Sequence, residues 1–135
     1  MSKKPKKQDT EKVAFTYGMI EAFERNQSLP KLKSNVQNIL KLKIFRLINS
    51  VMNSDGAKAY FDLRKEIVET YEKEQTELPE KDRQSLTLAD PRFQEIFEQD
   101  AGLEVQKISV RAQDLPDNFD VDDMFQLQWL IDFEE

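Results

Sequence analysis

The sequence predicts a mainly helical fold with a minor β element: shorter helices pack on one long central helix beside a small two-stranded sheet. Three observations predict it. Apolar residues between Leu40 and Tyr71 recur at steps of three or four, the spacing of one helical face. Asp90 and Asp120 are placed to cap two further helices. The best alternating stretch, residues 103–110, is short and needs a pairing partner.

Composition limits the chain to one domain and removes several kinds of chemistry. Its 135 residues suffice for one modest core. Cys and His are both absent, which removes disulfides, thiolate nucleophiles, the usual general base near pH 7 and the commonest metal ligand. Three glycines make no phosphate-binding loop. We therefore expect no enzyme, no catalytic residues, no cofactor, no metal site and no small-molecule substrate.

Residues 1–12 are predicted to be a flexible basic arm, and residues 13–135 a single helical domain. After Met1 the arm has no apolar residue except Pro5, so it has too little apolar surface to bury. It also lacks aromatic and Arg side chains for base stacking, so any contact with nucleic acid would be weak and electrostatic. A solubilising tail and a docking element for an acidic protein are both open. The lysines concerned are Lys3, Lys4, Lys6 and Lys7.

The first elements are predicted from their end signals. An extended segment at 12–15 precedes a helix that Thr16 caps and that runs to about Asn26. Pro30 disfavours a helical residue before it, so residues 31–38 are expected to be a connector. The buried face of this helix is expected to use Met19 or Ile20, and Phe23.

The long helix is predicted to run unbroken from Leu40 to Tyr71. The run Asn53-Ser54-Asp55-Gly56 favours a break, because Asp-Gly is a turn signal and Gly in a helix costs about 1 kcal/mol relative to Ala. The apolar face nevertheless continues in phase, and Gly56 falls on it, where a missing side chain admits another backbone. A helical hairpin is the alternative. Substantial burial is expected for Phe45, Met52, Leu63 and Ile67.

The first half of this helix is apolar on more than one side. One further stripe, which the first helix can cover, consists of Val36, Leu40, Ile44, Leu47 and Val51. Ile39 and Leu42 lie away from it, flanked by Lys43 and Arg46. Because few elements remain to cover them, we expect Ile39 and Leu42 to be partly exposed or buried against another chain. These four residues and the arm lysines are the predicted partner-binding residues, and their charges suit an acidic surface.

The second half of the chain starts with a charged stretch at 72–84, which is expected to be a frayed helix end and an exposed loop. Asp90-Pro91 begins a short helix that should end at Gly102. The strand at 103–110, with a bulge near 106–107, is expected to pair with residues 13–15. The residues that this short helix should bury are Phe93, Ile96 and Phe97.

A final helix is predicted after the turn at 114–117, with Asp120 and Asp123 forming a capping box. Acidic residues cluster at its start, but the calcium-binding EF-hand pattern would need a Gly and a Glu at positions where this chain has neither. Capping and solvation account for the cluster. The helix is expected to carry Met124, Leu127, Leu130 and Ile131 on one side and Phe125, Trp129 and Phe133 on another.

The order of these elements resembles a family of small, uncharacterised bacteriophage proteins, over most of residues 13–131. The residues that carry the resemblance are Phe45-Arg46-Leu47, Phe61, Arg64, Tyr71, Phe93, Glu104-Val105, Ile108, Asp114-Leu115, Leu127 and Leu130-Ile131. The connector at 26–38 is longer here, and the Lys arm is extra. The resemblance implies an unbroken long helix and a phage context, with no catalytic residues to carry over.

Two functions are open. Charge is divided, with 12 Lys+Arg against 5 Asp+Glu in residues 1–60 and 8 against 21 in residues 61–135. The first function is a structural or assembly protein, a small virion accessory that binds a larger multimeric partner, another virion protein or itself. The second is an acidic regulatory or inhibitory module that occupies a nucleic-acid-binding surface. Without a membrane span or secretory signal, the expected location is the virion or the host cytoplasm.

Overall fold

The computed structural model describes residues 11–33 and 38–134, and the described chain is mainly helical with two small sheets. This confirms the predicted fold class. The helices are α1 Tyr17–Arg25, α2 Leu29–Lys33, α3 Asn38–Met52, α4 Asp55–Thr76, α5 Pro91–Phe97 and α6 Val121–Leu127. The strands are β1 Lys12–Thr16, β2 Asp100–Gln106, β3 Ile108–Arg111 and β4 Ile131–Glu134. Lys12, assigned above to the arm, begins β1, and residues 1–10 lie outside the described residues.

The prediction of one unbroken helix is wrong, because the chain breaks at Asn53 and Ser54. Ser54 has extended backbone angles, and its hydroxyl accepts a hydrogen bond from the amide of Ala57 at 3.0 Å. The same hydroxyl donates to the carbonyl of Val51 at 2.7 Å. One side chain thus satisfies the end of α3 and the start of α4. The 22-residue α4 remains the long helix of the fold.

Gly56 lies in the first turn of α4, where β2 approaches. A Cβ atom built at this position would lie 2.3 Å from the carbonyl oxygen of Ala101. No side chain fits in that space, so only Gly allows the two main chains to approach this closely. The predicted role of Gly56 is confirmed, although the approaching backbone belongs to a strand.

Strands β1 and β2 pair as predicted, and the pairing is antiparallel, with Val13 opposite Val105 and Phe15 opposite Leu103. The register then shifts, and Gly102 has φ of +70°, which favours Gly in a bulge. The prediction that Gly102 ends α5 is therefore wrong, since α5 ends five residues earlier and Gly102 belongs to β2. This bulge is the part of β2 that lies against α4.

The predicted continuous C-terminal helix is also wrong beyond Leu127. The amide of Leu130 donates to the carbonyl of Leu127, and residues 131–134 then form β4. Strand β4 pairs in parallel with β3, so that Ile131 lies opposite Ile108. In place of the predicted bulge near 106–107, the chain leaves the first sheet and enters the second, where β3 takes β4 as its partner.

Leu29 begins helix α2, so the prediction that Pro30 keeps the residue before it out of a helix is wrong, and residues 31–33 of the expected connector are helical. The Asn26 side chain accepts hydrogen bonds from the amides of Ser28 and Leu29, and Pro30 lies in the first turn of α2, where a missing donor costs nothing. The other predicted helix starts are confirmed. Thr16, Asp90 and Asp120 cap α1, α5 and α6 respectively, each with a side-chain hydrogen bond to a first-turn amide.

The core lies between α3, α4 and the sheets. Helix α2 and strand β2 pack on one side of α3. The residues of α3 that are buried there are Leu40, Ile44, Leu47 and Val51. Val36 of the same predicted stripe lies outside the described residues. Phe45 was assigned to the core, but it is 60% exposed, because the side of α3 that it occupies faces away from these partners. Met52, Leu63 and Ile67 are half-buried. No helix of the described residues combines the length and apolar character that crossing a membrane requires.

Candidate protein-binding face on helix α3

Helix α3 carries exposed apolar side chains on the side opposite its buried stripe. Ile39, Leu42 and Phe45 follow one another at steps of three and are 71%, 46% and 60% exposed. Side chains at this spacing are neighbours on a helix surface. We call these three residues, with the neighbouring cations Lys41, Lys43 and Arg46, the α3 face. It is an apolar strip on a polar surface, which is typical of protein-binding sites.

The orientation of the α3 face follows from the packing on the other side of the helix. Ile44, Leu47 and Val51 are nearly inaccessible to solvent, and they fix which side of α3 points inward. Within the described part of the chain, no element packs over the outer side. The exposure of the strip is therefore imposed by the fold, since rotating α3 to bury it would expose the core stripe.

The cations of the α3 face are free to interact with a partner. Lys41, Lys43 and Arg46 are exposed, and none of them forms an ion pair within the described residues. Residues 26–54 contain five Lys or Arg and no Asp or Glu. The apolar strip consequently lies in a positive field, which favours an acidic surface and raises the rate of encounter with it.

A shallow cavity of about 300 Å³ opens beside the α3 face. It lies between α3 and the two strands that meet at residue 107. Its lining includes Lys43, Arg46 and Ser50 from α3 and Glu104, Val105 and Ile108 from the strands. An apolar floor with charged walls can hold one anchoring side chain of a partner.

A buried carboxylate joins α1 to α4. Glu21 is 2% exposed and accepts hydrogen bonds from Tyr60, Arg25 and Arg64, the last at 3.1 Å. Burial alone would raise the pKa of Glu21, but these three donors outweigh it and hold the pKa below its ordinary value. Burial and the bond to Glu21 together raise the pKa of Tyr60. The lowered pKa favours the ionised carboxylate, which accepts hydrogen bonds from side chains of both helices.

A second carboxylate joins α2 to α6. Asp123 is 6% exposed and accepts hydrogen bonds from the Ser28 hydroxyl at 2.6 Å and from Lys31 at 2.8 Å. Burial alone would raise the pKa of Asp123, but the bonds from Lys31, Ser28 and the amide of Asp120 lower it to about 2. Together with Asp120, this residue also forms the predicted capping box.

The structure places the predicted site residues in two groups. Ile39, Leu42, Lys43 and Arg46 share the exposed side of α3, as the sequence suggested, whereas the four arm lysines lie outside the described residues. Sequence reasoning missed Phe45, which it placed in the core. Its spacing of three residues from Leu42 was the signal that could have assigned it to the same face.

Metal coordination by acidic side chains is a further possibility for the residues that the structure describes. These residues contain no group of three or more acidic side chains placed to hold a metal ion. No protein-family model, no curated protein and no solved structure matches the chain. The α3 face is therefore the feature from which a function can be inferred.

Proposed function

We propose that this chain is a non-enzymatic structural or assembly protein that binds a larger partner through the α3 face. The observation that carries the proposal is the exposure of Ile39, Leu42 and Phe45 on a helix whose other side is core. Burying these side chains supplies the driving force, at roughly 25 cal/mol per Å² of apolar surface. The neighbouring cations orient an acidic partner surface.

The biological context that we propose is a bacteriophage virion or its assembly, with the chain as a small accessory. Support for this part comes from the resemblance to small bacteriophage proteins in the order of the elements. The arm lysines would add a salt-sensitive contact with the same partner.

The test of the binding face is Leu42→Glu in the native complex. Wild type and variant are compared by sedimentation of lysate from the native source, followed by mass-spectrometric identification of the proteins that sediment with them. The matched control is Leu78→Glu, because Leu78 is also an exposed apolar residue, 40% accessible, but lies on the loop after α4. We expect loss of the complex for Leu42→Glu only. An intact complex with this variant would refute the α3 face as the contact.

The same experiment separates the second candidate function. Residues 112–135 contain eight Asp or Glu and no Lys or Arg, which is the observation that favours an acidic inhibitor of a nucleic-acid-binding protein. That function would be favoured if a nucleic-acid-binding protein sediments with the chain and is released from it by added nucleic acid. The Leu42→Glu variant should then keep this complex. Detection of the chain in purified virions would favour the structural role.

A further inference from the structure

We propose that the α3 face binds a second copy of this chain, on a surface formed by α6 and β4. This inference rests on the proposed function and identifies the larger partner as an assembly of further copies of the chain. Val121 and Phe125 are 61% and 62% exposed and are four residues apart, so they are neighbours on the outer side of α6. Beside them lies an open cavity of about 480 Å³, lined also by Met124, Ile131 and Phe133. Lys107 lines it as well, but its ammonium is paired with Asp132 at 3.1 Å. We call this surface the α6 face.

The two faces match in chemistry. Each is an exposed apolar strip of two or three large side chains on a helix. The α3 face lies within residues 26–54, which carry five cations and no anion, whereas the α6 face lies within residues 112–135, which carry eight anions and no cation. Asp117 and Asp122, at the start of α6, are exposed. Contact between unlike faces therefore buries apolar surface and brings opposite charges together.

Polar bonds already join the cationic and acidic segments within the chain, without involving either face. Lys31 of the cationic segment pairs with Asp123 of the acidic one at 2.8 Å, and Asn26 donates to the carbonyl of Gln126 at 3.3 Å. These bonds use the inner side of α6. The outer side, with Phe125, remains open to a second chain.

The charge pattern decides the symmetry of the association. A two-fold contact between two α3 faces would bring Lys41, Lys43 and Arg46 of both copies together, and like charges at an interface are unfavourable. Contact of an α3 face with an α6 face is instead heterologous, leaving one free face at each end of every pair. Copies then add one after another, into a ring or an open filament. The surfaces are small, so we expect weak, concentration-dependent association.

Sedimentation velocity of the purified full chain tests this, at concentrations from about 10 µM to about 1 mM, a range that brackets weak contacts. The variants are Leu42→Glu, which blocks the α3 face, and Phe125→Glu, which blocks the α6 face; Leu78→Glu is the control. We expect wild type and control to associate, and less so as salt is raised. Each blocked variant alone should remain monomeric. Mixed in equal amounts, the two should form a one-to-one pair of twice the 15.9 kDa of the chain, because one intact face of each kind remains.

Three results would overturn the inference. The first is a wild type that remains monomeric at every concentration. The second is a Phe125→Glu variant that associates as wild type does, which indicates contact between two α3 faces. The third is a mixture of the two variants that forms no pair. Circular dichroism verifies folding, and Ile39→Glu, at a more exposed position of the α3 face, replaces Leu42→Glu if that variant unfolds. If purified wild type is monomeric but the native complex is lost with Leu42→Glu, only the self-association is refuted. The proposed binding of another partner by the α3 face then stands.

Discussion

Replacing Gly56 by Ala should destabilise the fold, although Ala is the better helix former. In an open helix, this replacement would stabilise by about 1 kcal/mol. Here the added Cβ would lie 2.3 Å from the carbonyl oxygen of Ala101, well inside any normal contact. The obstacle is main chain in a paired strand, which cannot rotate aside as a side chain can. Overpacking of this kind costs about 1–3 kcal/mol and occasionally more. With the helix gain subtracted from the upper end, we expect a net loss of about 2 kcal/mol.

Urea unfolding measures this change, with Ala59→Gly as the matched control. Ala59 lies on the exposed side of α4, so this reverse substitution should cost about 1 kcal/mol through helix propensity alone. Adding Ala101→Gly to Gly56→Ala should restore little, since the nearest atom is the carbonyl oxygen and not the Cβ. A Gly56→Ala variant that is more stable than wild type would refute the close approach of β2 to α4.

Three further predictions concern single residues. Asp123→Asn should flatten the acid dependence of stability. The pKa of Asp123, about 2, lies below the ordinary 3.8, so its contribution of about 1–2 kcal/mol is present above pH 4 and lost as pH falls towards 2. Urea unfolding of wild type and variant at several pH values measures the difference. Tyr60→Phe should cost about 1–3 kcal/mol in urea unfolding, because it removes a donor from the buried Glu21; a cost below about 0.5 kcal/mol would contradict this role. Phe45→Ser should change the free energy of unfolding by less than about 0.5 kcal/mol, whereas Ile44→Ala should lower it by about 2–5 kcal/mol. If both variants lose a similar free energy of unfolding, Phe45 belongs to the core.

The features that the sequence predicted correctly are mostly local. Thr16, Asp90 and Asp120 cap helices because a short polar side chain reaches amides two or three residues on, whatever the rest of the fold does. The pairing of β1 with β2 is long-range, but few stretches of the chain alternate, so few partners were available. Local signals and a small number of strands were enough for these elements.

The errors come from choices that depend on distant contacts. The helical spacing of apolar residues continued through Asn53 and Ser54, and it outweighed the Asp-Gly turn signal. The capping role of Ser54, which decides the break, was not considered. Helix α3 has two apolar sides, and only the packing of α2 and β2 determines that Phe45 lies outside. Residues 131–134 follow a helix without a turn signal, and they form a strand because β3 offers an edge to pair with. The exposure of Ile39 and Leu42 could be predicted, since too few elements remained to cover them.

The pairing of β1 with β2 has a consequence for synthesis of the chain. Phe15 and its register partner Leu103 are separated by almost 90 residues, and Phe15 is fully buried in the finished fold. At roughly 5–20 residues per second, a ribosome delivers β2 about 5 to 20 s after β1. During that interval, β1 and the side of α4 at Gly56 lack the strand that covers them. The nascent chain therefore exposes apolar surface for seconds, and we expect this period, rather than the finished fold, to be when it most needs a chaperone.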